Sequence, residues 1–168
     1  MNKKLYILVL GAVIAAGCHQ EPPVIGAPDG KPNITENIAN ANRYIVESEE
    51  TQIDAYVQRR QWNVIQTQMG VRINEYQRGE GAKIDWEEKI AVEYSVSDLS
   101  GKGIYGAQRD TIVVGHRQPT AGFDAAMLHL HHGSRAHIIV PSNEAYGMIG
   151  DGDLITNRKV LVYDVKVE

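Results

Sequence analysis

Two periods of apolar residues divide the chain. Between Asn33 and Arg60, Ile38, Ala41, Ile45, Ile53, Tyr56 and Val57 fall near one face of a helix, and Asn33 with Glu36 three residues on matches a capping box. One long helix, continuous or broken, is predicted from about Thr35 to Arg60. Beyond Trp62 the spacing drops to two. Val71, Ile73 and Tyr76, then Ile90, Val92 and Tyr94, then Ile112 and Val114, then Ile138 and Val140, and last Val160 to Val167 read as strands parted by glycine-bearing turns. A single helical segment interrupts them, Phe123 to Leu130, with Phe123, Met127 and Leu130 on one face and Gly133 as its stop. Strands around one apolar helix predict an α+β fold, an antiparallel β-sheet wrapped around a short amphipathic α-helix, with an N-terminal helical extension.

The ends modify this picture. Met-Asn-Lys-Lys followed by the uncharged run Leu5 to Ala16 has the form of a secretory signal peptide, too short to span a membrane, which takes about 20 residues. Ala15-Ala16-Gly17 ahead of Cys18, the only cysteine, is similar to a bacterial lipobox, which makes Cys18 the expected lipidation site and first residue of the mature protein. His19 in place of an aspartate points to the outer membrane, so the expected setting is the bacterial cell envelope, lipid-anchored and facing the periplasm. Four prolines and two glycines between His19 and Pro32 have the composition of a tether. The expected organisation is residues 1–17 signal peptide, 18–32 lipidated tether, 33–69 helical extension and 70–168 folded domain. Cleavage before Cys18 leaves 151 residues with a formal charge of −6. A mildly acidic chain without a basic block argues against nucleic acid as a partner.

Candidate chemistry centres on His137-Ile-Ile-Val-Pro-Ser-Asn-Glu-Ala-Tyr-Gly147, where a β-run breaks at a proline and an aromatic-Gly corner follows. Such a corner can hold a tyrosine hydroxyl over an apolar hollow. The run resembles the "IPSELAYG" signature of bacterial FKBP-type peptidyl-prolyl isomerases. Val71 to Tyr76 with Gly79-Glu-Gly81, Val92-Glu-Tyr94 with Gly101-Lys102, Val114-Gly115, Gly122-Phe123, Gly133-Ser-Arg135 and Leu161-Val-Tyr163 continue the match with the family's spacing. A helical extension behind a lipobox also resembles the gliding-motility-associated isomerase lipoproteins of that family.

The resemblance implies a proline pocket lined by Tyr94, Ile104, Phe123, Tyr146 and Tyr163, with Phe123 as its floor and the Tyr146 hydroxyl aimed at a substrate carbonyl. It also implies that Pro119 and Thr120 form the segment entering the central helix, where Thr120 keeps a backbone N–H, and that Asp151 borders the pocket. Two positions depart from the family. Tyr105 stands where the family has its pocket aspartate, just after the aromatic that Ile104 replaces, and Asp110 falls at a usually aromatic wall position. Asp110 is thereby a candidate for the displaced carboxylate. The implied substrates are proline-containing exported polypeptides, turned over without a cofactor or metal.

Other signals carry less. His129, His131 and His132 lack an accompanying carboxylate or cysteine at ligand spacing and read as a solvated helix end. Gly150-Asp-Gly-Asp153 lacks the far acidic residue of a calcium loop, and Ser100-Gly-Lys-Gly103 reads as a hairpin. The Thr35 to Arg60 stripe is best read as surface packed on the adjoining domain, with homodimer formation or client gripping as its alternatives. Two rival functions remain beside the isomerase: a lipid-anchored chaperone or binding module using the same pocket with little turnover, and a structural lipoprotein subunit.

Overall fold

The computed structural model describes residues 34–168. The signal peptide, Cys18, the tether and the Asn33 cap all lie outside the described residues. Helix α1 runs from Ile34 to Arg60 without a break. Strands β1 (Ile65–Gln66), β2 (Arg72–Gln77), β3 (Lys89–Ser97) and β4 (Gly103–Val113) follow. Helix α2 (Ala121–Met127) comes next, then β5 (Arg135–Val140) and β6 (Leu161–Val167). Residues 39–168 form one compact unit.

All six strands join one antiparallel sheet in the order β1-β2-β5-β6-β3-β4. Alternation along the strands gives each face its own apolar layer, because successive side chains point to opposite sides. On the inner face Ile73, Val92, Tyr94, Ile138, Tyr163 and Val165 pack against α2, whose Phe123 and Met127, with Leu130 just beyond, are fully buried. Gly122 lets α2 approach β5, since a Cβ there would lie 2.5 Å from Val140 Cγ1. On the outer face Ile139, Val160 and Val162 meet Ile53 and Tyr56 of α1, with Trp62 at the margin. The sheet is therefore sandwiched between α2 and the C-terminal half of α1.

Three expectations need correction. The α1 stripe is buried only over its C-terminal part: Ile38 and Ala41 are exposed and Ile45 half-buried, because the sheet offers apolar surface only to residues from Glu49 onward. Tyr76 leaves the inner face occupied by Ile73, packs at a 36° tilt against His137 with centroids 4.5 Å apart and donates a 2.9 Å hydrogen bond to Asp164. His131 and His132 lie beyond α2 rather than in its last turn, and both are tied down. His132 pairs with Glu88 at 2.7 Å and His131 with Arg78 at 2.8 Å. Among the described residues there is no cluster suited to a metal ion, and no helix is long and apolar enough to cross a membrane.

Candidate active site

Three rings form the base of the site. Phe123 sits in the first turn of α2, with Thr120 as N-cap: the Phe123 N–H donates to Thr120 Oγ1 at 3.3 Å. Its ring centroid lies 4.8 Å from that of Tyr163 and 5.3 Å from that of Tyr94, while Tyr94 and Tyr163 are 5.9 Å apart, all three pairs tilted. Tilted rings at such spacing satisfy their quadrupoles. Above them lies a hollow of about 180 Å³ lined by Tyr94, Val96, Tyr105, Gln108, Pro119, Tyr146, Asp151, Ile155 and Tyr163.

Strand irregularity decides which β4 residues face this hollow. Tyr94 pairs with Gln108, yet Val96 pairs with Tyr105, so the register shifts between them. Such a bulge places Gln108 and Tyr105, three residues apart, on the same face, where regular alternation would put them on opposite ones. Ile104 packs against the core beside the hollow without lining it. Asp110 pairs with Val92 one step farther along and lines a neighbouring groove with Arg109 and Glu168, its Oδ1 accepting from the Thr111 N–H at 2.7 Å. The carboxylate that reaches the hollow is that of Asp151.

The loop after Tyr146 delivers Asp151. Its Oδ1 accepts from the backbone N–H groups of Asp153 and Ile155, each at 2.9 Å, and its own N–H donates to the Ile155 carbonyl at 3.1 Å. Gly150 makes this closure feasible with φ +81°, since a Cβ there would lie 2.2 Å from the Ile155 oxygen. The other carboxylate oxygen accepts from the Tyr105 hydroxyl. Desolvation pushes Asp151 upward, but the Tyr105 and backbone hydrogen bonds outweigh it and hold the group below the ordinary aspartate value. The same bond, favouring neutral phenol, pushes Tyr105 up to about 12. Burial raises Tyr94, Tyr146 and Tyr163, with the charge of Asp110 adding at Tyr94 and that of Asp151 at Tyr146. All four phenols are neutral donors near pH 7.

Tyr146 is held from behind by α1. Buried Glu49 accepts from the Ser142 N–H at 2.9 Å and from its hydroxyl at 2.5 Å, fixing the start of the turn Ser142–Glu144 that leads to Tyr146. A second tie joins Arg72 of β2 to Asp54 at 2.9 Å. The Tyr146 hydroxyl itself has no hydrogen-bond partner among the described residues.

The comparisons bear on this geometry. Residues 78–168 match the family described as FKBP-type peptidyl-prolyl cis-trans isomerase, more than half of the chain. The chain belongs to this family. It is an isomerase of the FKBP class, and α1, β1 and β2 precede the segment that defines the class. Among solved structures, a peptidyl-prolyl cis-trans isomerase from Pseudomonas syringae pv. tomato superposes with a TM-score of 0.62 at 23% identity, over 74% of this chain and 92% of the other. AtFKBP13 superposes with a TM-score of 0.57 at 20% identity, over 62% of this chain and 95% of the other. At such identities these matches speak for the fold. No curated protein matches the sequence.

Of the residues singled out in the sequence, the hollow gathers Tyr94, Tyr105, Pro119, Tyr146, Asp151 and Tyr163 over Phe123 and capped Thr120, and omits Ile104 and Asp110. Three lining residues and one support went unread. Val96 was legible from the β3 alternation, whereas only burial separates Ile155 from exposed Leu154 beside it. Gln108 needed the bulge, and Glu49 needed the docking of α1.

Proposed function

We propose that this isomerase rotates X-Pro bonds in exported polypeptides, working from a lipid anchor at Cys18 in the bacterial cell envelope, at the outer membrane and facing the periplasm. The observation that carries the catalytic part is the unpartnered Tyr146 hydroxyl at the rim of a hollow lined by Tyr94 and Tyr163, whose rings pack on buried Phe123. Rotation must overcome partial double-bond character, a barrier of about 18 to 20 kcal/mol for amides. The resonance form with negative charge on oxygen is favoured by water, so a hollow that strips water from the amide weakens the double-bond character and favours the twisted amide. A hydroxyl that donates better to the twisted carbonyl than to the planar one lowers the barrier further, and each 1.36 kcal/mol of such selectivity is worth about tenfold in rate.

A second reading, a chaperone or binding module with little turnover, is favoured by one observation. The Tyr105 hydroxyl is already committed to Asp151, so the carboxylate at the hollow is satisfied before substrate arrives. A protease-coupled proline-tetrapeptide assay separates the two. Wild-type turnover with an approximately tenfold loss of kcat/KM in Tyr146→Phe and unchanged circular dichroism supports isomerisation. Peptide capture without turnover selects the binding module.

A further inference from the structure

A second concavity, of about 310 Å³, lies between α1 and the loop that follows Tyr146. Its apolar walls are Ile45 and Val46 from the helix and Met148 from the loop. Glu49 and Ser142 contribute to its lining, but the Glu49 carboxylate is consumed by the Ser142 N–H and hydroxyl. Val46 is 45% exposed, Met148 61% and neighbouring Ile149 90%. Large apolar side chains clustered in the open mark a surface that is covered in use. Arg158, which also lines the groove, ties the loop wall through its backbone N–H, which donates to the Gly147 carbonyl at 2.7 Å.

The covering group is identified by continuity with the catalytic hollow. Tyr146 lines the hollow and Met148 lines the groove. Only Gly147 lies between them, so their Cα atoms are no more than about 7 Å apart, a distance that two or three residues of extended polypeptide cover. A chain whose proline occupies the hollow and which runs on over this loop carries a side chain of its own to the groove. We propose that this groove is a second docking site for the polypeptide substrate, taking an apolar side chain two to four residues from the proline. The inference rests on reading the hollow as the proline pocket, and it gives α1, outside the family-defining segment, a part in substrate selection.

The test uses fluorescent proline peptides carrying leucine or serine at the third position on either side of proline, titrated into the protein. Leucine on one side is expected to tighten binding by about tenfold, equivalent to about 1.4 kcal/mol. Val46→Asp should erase that preference, while Tyr44→Asp, on the same helix but facing a different groove, should retain it. Equal affinity for leucine and serine peptides in the wild type, or a preference that survives Val46→Asp, overturns the proposal. A change in oligomeric state on Val46→Asp without a change in peptide preference assigns the groove to a second copy and also overturns it. Turnover of the same peptides reports on the hollow separately: leucine preference without turnover upholds the groove and refutes the catalytic reading.

Discussion

The two faces of the sheet are built from alternate residues of the same strands, yet they pack in opposite ways. On the inner face Ile138 and Tyr163 join Tyr94 and Phe123, tilted rings that leave a hollow. On the outer face Ile139 and Val162 meet α1, and Trp62 lies flat on His137, with centroids 4.2 Å apart and planes within 5°. The difference teaches that aromatic content alone does not make a site. What lies over the rings does: Tyr94 and Tyr163 open onto the hollow with Tyr105, Tyr146 and Asp151, whereas Trp62 is covered by His137 on its flat side and Tyr56 at its edge.

Substitutions on the two faces should separate stability from turnover. The largest effect is expected at Phe123→Ala, which removes a fully buried ring touching two others: about 3–5 kcal/mol of stability, with loss of turnover per folded molecule. Ile53→Ala on the outer face should cost about 2–5 kcal/mol while turnover per folded molecule stays at the wild-type level. Urea denaturation with kcat/KM corrected for the folded fraction measures both. Equal turnover losses would erase the distinction between the faces.

Glu49→Gln probes a side chain that hydrogen-bonds α1 to the turn before Tyr146. Weakening its buried bonds to Ser142 should cost about 1–3 kcal/mol and lower kcat/KM together with stability. A full stability loss with unaltered kcat/KM would show that the tie does not position Tyr146.

The smallest effect is a pH dependence confined to the outer face. Burial, assisted by the charge of Arg60 and opposed by that of Asp164, holds His137 below its usual 6.5. The unfolded chain then binds the proton more readily, so this contribution is present above pH 6.5 and is lost as pH falls through the folded-state value. Denaturation midpoints between pH 7.5 and 5 should decline less in His137→Gln than in the wild type. Parallel declines would place the acid sensitivity elsewhere.

Strands and the central helix were legible because alternation and the Phe123, Met127 spacing are local properties of the chain, but the helix ends at Met127, so Leu130 joins the same core from beyond it. Tyr76 misled because an aromatic can serve either face, and hydrogen bonding to Asp164 chose the outer one. The α1 stripe was read too far toward the N-terminus, since helical periodicity reports amphipathic character but not where the partner surface ends.

By itself the sequence determined the β-rich fold around one short helix, the aromatic set Tyr94, Phe123, Tyr146 and Tyr163, and the family to which they point. Only the tertiary structure decided that Asp151 rather than Asp110 brings a carboxylate to the hollow, that Gln108 and Tyr105 share a face, and that Glu49 braces the turn before Tyr146. Periodicity is written residue by residue along the chain. A register shift, a loop closure and a helix docked across a sheet are settled by partners distant in sequence, where packing and hydrogen-bond satisfaction act on the whole fold at once.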